Sequence, residues 1–295
     1  MTQVAGLLAR CRFPPSGTPV TCAWSGGADS TALVVLARAA GCAVSAVHVD
    51  HGLRPDSGAD AQHVTRLADT LGVPLQVVEL HLDDGPNLED RARTARHRVL
   101  PADALLGHTA DDQAETVLLQ LLRGAGPNGL GAMAEDHRRP LLALRRSETR
   151  AVCAARGLDA LADPTNADRR FRRNRVRAEV LPLLADIFQR DPVPMLTRAA
   201  GHQREVVGLL DQLSDTVDAT DSRALRHEHP ALARHALRRW LRQETDASHA
   251  VGTATVDRVM DVVAHRSRST ELGDGWRVCR TDGRLRVERS QPVEL

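Results

Sequence analysis

The feature that most limits the possible folds of this chain is a glycine-rich segment between an apolar run and a helical pattern. The segment reads Ser25-Gly26-Gly27-Ala28-Asp29-Ser30; it follows the apolar run Pro19–Ala23 and precedes the helical pattern Thr31–Ala40. Glycines let the backbone approach a ligand closely, and the N–H groups of a helix N-terminus attract negative oxygens. A strand, this loop and a helix in that order predict a phosphate-binding site. The alternative is an ordinary glycine turn.

Asp29 distinguishes this loop from phosphate-binding loops that depend on a lysine. A Walker A loop carries a lysine after its last glycine, whereas all 39 basic residues of this 295-residue chain are arginines. An acid beside phosphate oxygens is favourable when a Mg²⁺ ion lies between them. Asp29 is therefore a candidate metal ligand.

The first half of the chain alternates between strand and helix patterns. Strands are predicted at Val20–Trp24, Ala43–Val49, Pro74–Leu80 and Asp103–Gly107, and helices at Ser30–Ala40, Asp56–Leu71, Leu88–Leu100 and Thr109–Arg123. This order predicts an α/β fold with a doubly wound parallel sheet. Ligands of such sheets bind at the carboxyl ends of the strands.

The pattern changes near residue 190, where we place a domain boundary. Helices are predicted at 193–217, 230–244 and 253–264, and an alternating stretch over 269–289 carries two Asp-Gly turns. The second domain, 191–295, is therefore expected to be smaller and mainly helical, with a terminal β-meander.

Polar side chains follow two of the predicted strands. His48, Asp50, His51 and Arg54 follow the second, and His108, Asp111, Asp112 and Glu115 follow the fourth. Acids at a sheet mouth suit a metal and nucleotide site. The alternatives are a solvated turn for the first group and the usual excess of acids at a helix start for the second.

Arginines are concentrated in two places. A predicted helix places Arg93, Arg96 and His97 on one face, and six arginines lie between residues 169 and 177, among them Arg172, Arg173, Arg175 and Arg177. Guanidinium groups match phosphate geometry, so the second cluster predicts a nucleic-acid contact. A solvated charged surface is the alternative.

Cysteine usage and hydropathy exclude several classes of protein. The five cysteines are scattered and none forms a CxxC pair, which argues against a zinc site, an iron–sulfur cluster or a disulfide scaffold. The sequence has no apolar run near 18 residues and no signal-like N-terminus. We expect a cytoplasmic protein.

Together the motifs resemble the tRNA(Ile)-lysidine synthase family of the pyrophosphate-loop ATP pyrophosphatases. The resemblance covers roughly residues 18–185 and depends on Ser25–Ser30, His48–Arg54, Ala92–Leu100, Leu106–Met133 and Asp163–Arg177. It implies an adenine nucleotide alpha hydrolase-like catalytic domain over 1–190 and a tRNA-binding domain over 191–295. One departure is His97, which stands where the family usually has tyrosine.

The resemblance also implies a reaction and a set of site residues. The enzyme would use ATP and Mg²⁺ to join free lysine to the wobble cytidine of an isoleucine tRNA with a CAU anticodon, through an adenylated cytidine, and release AMP and pyrophosphate. ATP would contact Ser25–Ser30, Asp50, Arg93 and Arg96. The catalytic groups would be Asp29, His108, Asp111 and Asp112, and tRNA would meet Arg172, Arg173, Arg175 and Arg177. The resemblance leaves open whether the enzyme forms a homodimer.

Three other functions remain to be separated from this one. A tRNA thiolase of the same superfamily would need reactive or paired cysteines. A small-molecule adenylating ligase, such as NAD or GMP synthetase, would not need the arginines at 169–177. A non-enzymatic RNA-binding module would not need the phosphate loop. Pyrophosphate release that requires both tRNA and lysine would separate all four.

Overall fold

The chain divides into two compact units. The computed structural model describes residues 2–50, 57–80, 91, 95, 98–161, 168–245 and 251–290. The first unit comprises Met1–Leu119 and Met133–Thr197, and the second comprises Gln120–Ala132 and Arg198–Leu295. The segment Gln120–Ala132 thus belongs to the second unit, although it precedes the predicted boundary near residue 190.

The first unit begins with alternating helices and strands, close to the predicted positions. They are α1 (Thr2–Leu8), β1 (Pro19–Ala23), α2 (Ala28–Ala39), β2 (Ala43–Asp50), α3 (Ser57–Leu71) and β3 (Leu75–Glu79). β1 pairs with β2, and β2 pairs with β3, both in parallel. The predicted parallel sheet with helices is thus confirmed.

The fourth predicted strand, 103–107, is reduced to one bridge. Leu105 pairs in parallel with Cys22 of β1, and its backbone N donates to the carbonyl of Thr21 at 2.8 Å. Leu105 therefore lies beside β1 on the side opposite β2. The segments that follow β1 are thus added to the sheet first on one side of it, as β2 and β3, and then on the other side, at Leu105. A parallel sheet opens a ligand crevice at such a switch point.

Further helices complete the first unit. They are α4 (Ala110–Leu122), whose last residues belong to the second unit, then α6 (Arg146–Ala154), α7 (Arg172–Arg175) and α8 (Leu181–Phe188), with a π-helical turn at Val176–Val180; the short α5 (Pro127–Leu130) lies in the second unit. Of the predicted helix Leu88–Leu100, residues 91, 95, 98 and 99 are helical. Arg93, Arg96 and His97 lie outside the described residues, as do His51 and Arg54.

Two core contacts of the first unit position the site. The buried α2, whose Leu33 and Leu36 have no exposed surface, packs against α6. Ala110, Ala114 and Leu118 of α4 share a second core with residues of the π-helical turn and α8. These contacts place α6 and the arginine-rich segment beside the starts of α2 and α4.

The second unit is helical and ends in the predicted β-meander. Its elements are α9 (Val193–Ser214), which begins in the first unit, then α10 (Ser222–His227), α11 (Pro230–Glu244), α12 (Thr253–Val263), β4 (Ser269–Gly273), β5 (Trp276–Thr281) and β6 (Arg284–Arg289). The antiparallel strands turn at Asp274–Gly275 and at Asp282–Gly283, where all four residues have positive φ. Asp-Gly pairs favour such two-residue hairpin turns. Leu237, Leu241, Val256 and Val278 lie in the core.

Candidate active site at the glycine-rich loop

The glycine-rich loop joins β1 to α2 as the sequence predicts. Gly26 has a φ of +86°, and a Cβ there would lie 2.5 Å from Cδ1 of Leu161. The position therefore requires glycine for both conformation and space. Gly27 precedes α2 in an extended conformation, and Ala28 is the first residue of the helix. The N-terminal N–H groups of α2 thus lie at the loop, where an anion is favoured.

Two serines brace the loop from inside. The Oγ atom of Ser30 accepts a hydrogen bond from the backbone N of Ser25 at 3.2 Å and donates to the carbonyl of Gly27 at 3.0 Å. The two hydroxyls lie 3.1 Å apart. These bonds fix the loop conformation before any ligand arrives, which lowers the entropic cost of binding.

Asp29 points from the first turn of α2 toward α6. Its carboxylate accepts hydrogen bonds from the hydroxyl of Thr149 and, at 3.3 Å, from Nε of Arg146. Burial raises the pKa of Asp29, and the nearby negative charge of Asp112 raises it further, against the opposing effect of Arg146. The loop therefore holds a carboxylate whose charged form is disfavoured by its surroundings.

Gly107 brings the Leu105 segment against the start of α2. A Cβ at this position would lie 2.9 Å from the carbonyl carbon of Asp29 and 3.0 Å from Cα of Ser30. Because those are backbone atoms, no side chain fits there. The absent side chain allows the acids at the start of α4 to lie beside the glycine-rich loop.

Asp111 and Asp112 occupy the first turn of α4, and each is held by different donors. Asp111 forms a two-pronged ion pair with Arg145, with both N···O distances at 3.0 Å. Oδ2 of Asp112 accepts from the backbone N and hydroxyl of Thr109 at 2.8 and 2.9 Å. Oδ1 of Asp112 lies 2.8 Å from an amino group of Arg146.

The arginines keep both of these acids ionised. Burial alone would raise the pKa of Asp111, but hydrogen bonds from Arg145 and from the backbone N of Arg146 outweigh it and lower that pKa. Burial opposes ionisation of Asp112 too, yet the charges of Arg146 and Arg173 lower its pKa. The start of α4 thus carries two carboxylates that are negatively charged at neutral pH.

Glu115 is the most deeply buried acid of the site. Its side chain has no exposed surface, and three guanidinium groups surround it. Arg146 lies 3.0 Å from Oε1, Arg177 lies 2.7 Å from the same oxygen, and Arg173 lies 2.7 Å from Oε2. A buried carboxylate needs such compensation.

Arg146 is the residue that sequence reasoning missed. It contacts acids from both strand-end segments, since its guanidinium bonds Asp29, Asp112 and Glu115 while only 13% of its side chain is exposed. Arg145 and Arg146 lie outside the motifs that the sequence singles out. Their partners lie 31 to 117 residues away, so no local pattern could have revealed them.

The arginines expected to meet tRNA separate into two groups. Arg173 and Arg177 face inward onto Glu115, with Arg173 also 3.3 Å from Asp112. Arg175 is exposed and pairs with Glu179. Arg172 is exposed and forms no ion pair among the described residues. Arg173 and Arg177 therefore share one face, and that face lies against Glu115 and Asp112.

Two more of the predicted site residues, Asp50 and His108, lie at the same edge of the sheet. Asp50 ends β2 beside β1, and His108 lies between Leu105 and α4; both are partly buried. Nδ1 of the buried His48 lies 2.8 Å from the carbonyl oxygen of Trp24. The loop and the strand ends thus form one site, in which buried acids are paired with arginines.

The part of the chain that the structure describes also bears on metal binding, thiol reactivity and membrane insertion. It contains no group of three or more His, Cys, Asp or Glu side chains arranged to hold a metal ion. Burial raises the pKa of the Cys22 thiol to about 12 and that of Cys153 to about 11. Among these residues no helix is long and apolar enough to cross a membrane.

Family models match both units of the chain. Residues 3–184 match a model described as a PP-loop domain, and residues 221–286 match one described as the TilS substrate binding domain. The first match includes the glycine-rich loop, the acids of α4 and the arginine-rich segment.

Curated relatives share the same name. The tRNA(Ile)-lysidine synthase of Mycolicibacterium paratuberculosis is 48% identical over 65% of this chain and 62% of its own length. That of Nocardia farcinica is 41% identical over 81% and 80%, and that of Pseudomonas putida is 36% identical over 89% and 69%. The chain thus spans 62% to 80% of the length of these three relatives.

A solved structure shares the fold. The U34-tRNA thiolase NcsA from Methanococcus maripaludis, with its [4Fe-4S] cluster, aligns with a TM-score of 0.57 and 16% identity, over 69% of this chain and 77% of its own. At that identity the likeness concerns the fold alone.

Proposed function

The chain belongs to the tRNA(Ile)-lysidine synthase family, and from this premise we propose that it joins free L-lysine to the wobble cytidine of isoleucine tRNA with a CAU anticodon. The observation that carries the proposal is the meeting of the pyrophosphate loop with the acids of α4 at one switch point. Family membership does not favour a tRNA thiolase or a small-molecule ligase.

The proposed reaction has two displacement steps. The cytosine O2 attacks the α-phosphorus of ATP, and pyrophosphate leaves. The amine of lysine, after losing a proton, then attacks the activated base and displaces AMP. Both steps depend on positioning and on stabilisation of charge, so neither requires a nucleophile from the protein.

ATP is proposed to bind with its phosphates against the loop Ser25–Ser30. The positive φ of Gly26 and the serine bonds support this, because they open a backbone surface at the start of α2. Asp50 lies at the adjacent strand end and is proposed to face the nucleotide. Arg93 and Arg96 keep their proposed nucleotide contacts by family resemblance.

A Mg²⁺ ion is proposed to join Asp29 to the ATP phosphates. Proteins commonly bind Mg²⁺ through one or two carboxylates together with substrate phosphates, so a single acid at the loop fits the ion. Burial disfavours the charge of Asp29, which an incoming cation would offset. When bound, the ion would neutralise charge on the leaving pyrophosphate.

Lysine is proposed to approach the acids of α4. The carboxylates of Asp111, Asp112 and Glu115 already hold cationic side chains, and an ammonium group is the same class of partner. His108, Asp111 and Asp112 are proposed as the groups that orient the amine and accept its proton. Their position next to the loop supports transfer to an adenylated base.

tRNA is proposed to contact Arg172, Arg173, Arg175 and Arg177 together with the domain over 191–295. The exposure of Arg172 and Arg175 supports a direct role for these two.

A cytoplasmic homodimer is the proposed assembly. Leu183, Ile187 and Phe188 of α8 are each more than half exposed, and a second copy would cover them.

The test measures pyrophosphate release from ATP with tRNA, lysine, both or neither. We expect formation of AMP to require both, and mass spectrometry of the digested tRNA to show lysine attached to the wobble cytidine. Pyrophosphate release without lysine that continues beyond one equivalent per tRNA, or lysine attached to no tRNA base, would refute the proposal. A small-molecule ligase would release pyrophosphate in the absence of tRNA.

A further inference from the structure

The guanidinium group of Arg146 lies among three acids and bonds each of them through a different nitrogen. Its Nε is 3.3 Å from Asp29, one amino nitrogen is 2.8 Å from Asp112, and the other is 3.0 Å from Glu115. The first of these acids belongs to the glycine-rich loop and the other two belong to α4. Arg146 therefore contacts both the proposed nucleotide site and the proposed lysine site.

The buried acids of α4, Asp112 and Glu115, are saturated with hydrogen-bond donors. An ionised carboxylate has about four acceptor positions, and each of these two accepts four hydrogen bonds from the chain itself. The donors are groups of Thr109, Arg146, Arg173 and Arg177. An ammonium group has only hydrogens to offer, so it can bind these carboxylates only when one of the donors moves away.

Among the three guanidinium groups, Arg146 has the contacts that favour such a move. Arg177 belongs to the π-helical turn that packs on α4, and Arg173 lies one turn before it. Arg146 extends instead from α6, and its contact with Asp29 is the longest of its three. Asp29 is also a weak partner, because burial disfavours its charged form. Phosphates at the loop would offer this guanidinium charged oxygens in a geometry that it matches.

We propose that Arg146 is a positioning residue that admits lysine to the site only after the nucleotide. Without ATP, its guanidinium occupies the acceptor positions of Asp112 and Glu115 that the ammonium group of lysine needs. ATP phosphates at the glycine-rich loop attract the guanidinium, and the two carboxylates then accept the ammonium group in its place. This inference rests on the proposed function, because it concerns the order in which the same site takes two of its substrates.

The exchange keeps a cation beside the buried carboxylates at every stage. A buried acid that loses its partner is strongly destabilised, so Arg146 can leave Asp112 and Glu115 at low cost only when another cation replaces it. Lysine supplies that cation, and the phosphates supply the new partner of the guanidinium. Binding of nucleotide and binding of lysine should therefore favour each other.

The first test measures L-lysine binding to the wild type by calorimetry without tRNA, with and without Mg²⁺ and α,β-methylene-ATP. This analogue cannot release pyrophosphate, so the experiment records binding alone. We expect the affinity for lysine to rise about tenfold with saturating analogue, and the affinity for the analogue to rise by the same factor with saturating lysine, since coupling between two sites is reciprocal. Equal lysine affinity in both conditions would overturn the inference without the need for any variant.

The second test removes the guanidinium group with Arg146→Met. This variant should bind lysine without nucleotide about as tightly as the wild type binds it with the analogue, so the coupling factor falls from about ten to about one. Its affinity for the analogue should fall about tenfold, because a charged hydrogen bond to phosphate is lost. A purely structural role gives the opposite result for lysine, namely weaker binding with and without nucleotide, and that result would overturn the inference.

Two further variants complete the comparison. Arg146→Lys keeps a cation beside the acids and should retain part of the coupling. Arg150→Met removes an exposed arginine from the same helix, and it should leave both affinities and their coupling unchanged. Loss of coupling in Arg150→Met would show that the effect is not specific to Arg146 and would contradict the inference.

The outcomes separate this inference from the proposed function. If the wild type forms lysidine but its affinity for lysine does not respond to the analogue, the inference is wrong and the proposed function stands. If the wild type neither binds lysine nor forms lysidine, both are wrong. A circular dichroism spectrum and thermal midpoint close to those of the wild type show that the variants remain folded.

Discussion

Nε of Arg146 lies 3.3 Å from Oδ2 of Asp29, so a guanidinium from α6 holds the acid of the pyrophosphate loop. The same arginine binds Asp112 and Glu115 on α4. One side chain therefore sets the spacing between the phosphate loop and the acids. Substitutions in the loop at Asp29 and substitutions of the acids on α4 should therefore differ in their effects on catalysis and on stability.

Asp29→Asn should abolish adenylation while tRNA binding survives. The amide keeps the size of the side chain but loses the charge that is proposed to hold Mg²⁺ against ATP. Lysine-dependent AMP formation measures the effect, and a tRNA binding assay checks the fold. Thr149→Ser is the control, since it keeps the hydroxyl that donates to Asp29. Wild-type rates in Asp29→Asn would refute the role.

The same Asp29→Asn variant should be more stable than the wild type at neutral pH. The pKa of Asp29 is raised in the folded state, so folding favours the protonated form. The acid therefore contributes stability that is complete below its unfolded pKa near 3.8 and is lost as the pH rises through the folded pKa. Thermal midpoints at pH 7.5 and pH 3 should show an advantage for the variant only at the higher pH.

Asp111 should show the opposite dependence on pH. Its folded pKa is lowered, so its contribution to stability is present above the unfolded pKa near 3.8 and is lost as the pH falls through the folded value. Asp111→Asn should cost about 2 kcal/mol of unfolding free energy at pH 7, because it breaks charged hydrogen bonds, and nothing in strong acid. Denaturant unfolding at several pH values measures this.

Activity gives a second test of the acids on α4. Asp111→Ala or Asp112→Ala should block lysidine formation if these carboxylates receive the amine. Measured adenylation and lysine transfer that both stay unchanged would mean that the acids only reflect the charge preference of a helix start.

The two pairs of arginines near the site should separate. Arg173→Ala/Arg177→Ala leaves the buried Glu115 with only Arg146, which should cost about 3 kcal/mol of unfolding free energy and reduce activity. Arg172→Ala/Arg175→Ala should leave stability nearly unchanged and flatten the salt dependence of tRNA binding. Unchanged affinity and slope in the second variant would exclude these residues as phosphate contacts.

His235 should anchor the glycine-rich segment after α4. Its side chain is buried, with Nε2 2.8 Å from Asp211 and Nδ1 3.3 Å from the amide of Asn128. His235→Ala should cost about 2 kcal/mol because it leaves polar partners unsatisfied. Hydrogen exchange of residues 126–131 should accelerate. His235→Gln should recover part of the protection, and equal exchange in all three proteins would contradict the role.

Local patterns predicted the elements and the position of the glycine-rich loop well. β1, the loop and α2 are contiguous, so their order in the chain is sufficient to predict this strand–loop–helix unit, and the two Asp-Gly pairs place the terminal hairpins. The fourth strand was overestimated. Leu105 makes a single bridge to β1, and the next residue bonds instead to the carbonyl of Arg138.

The ion pairs could not be predicted, because their partners are distant in the chain. Arg146 meets Asp29 across 117 residues, and Arg173 meets Glu115 across 58. A cluster of arginines in a sequence does not tell which of them folding will neutralise. That depends on packing of α4 against the π-helical turn and α8, which periodicity does not encode.

Gly107 finally limits how this site can change over evolutionary time. One added carbon atom there would collide with the backbone of Asp29 at 2.9 Å, and backbone cannot rotate aside as a side chain does. A mutation at this position is therefore tolerable only together with a second one that moves the glycine-rich loop. The two strand ends must consequently be inherited as a matched pair, and exchange of either one alone between distant relatives should yield an inactive chimera.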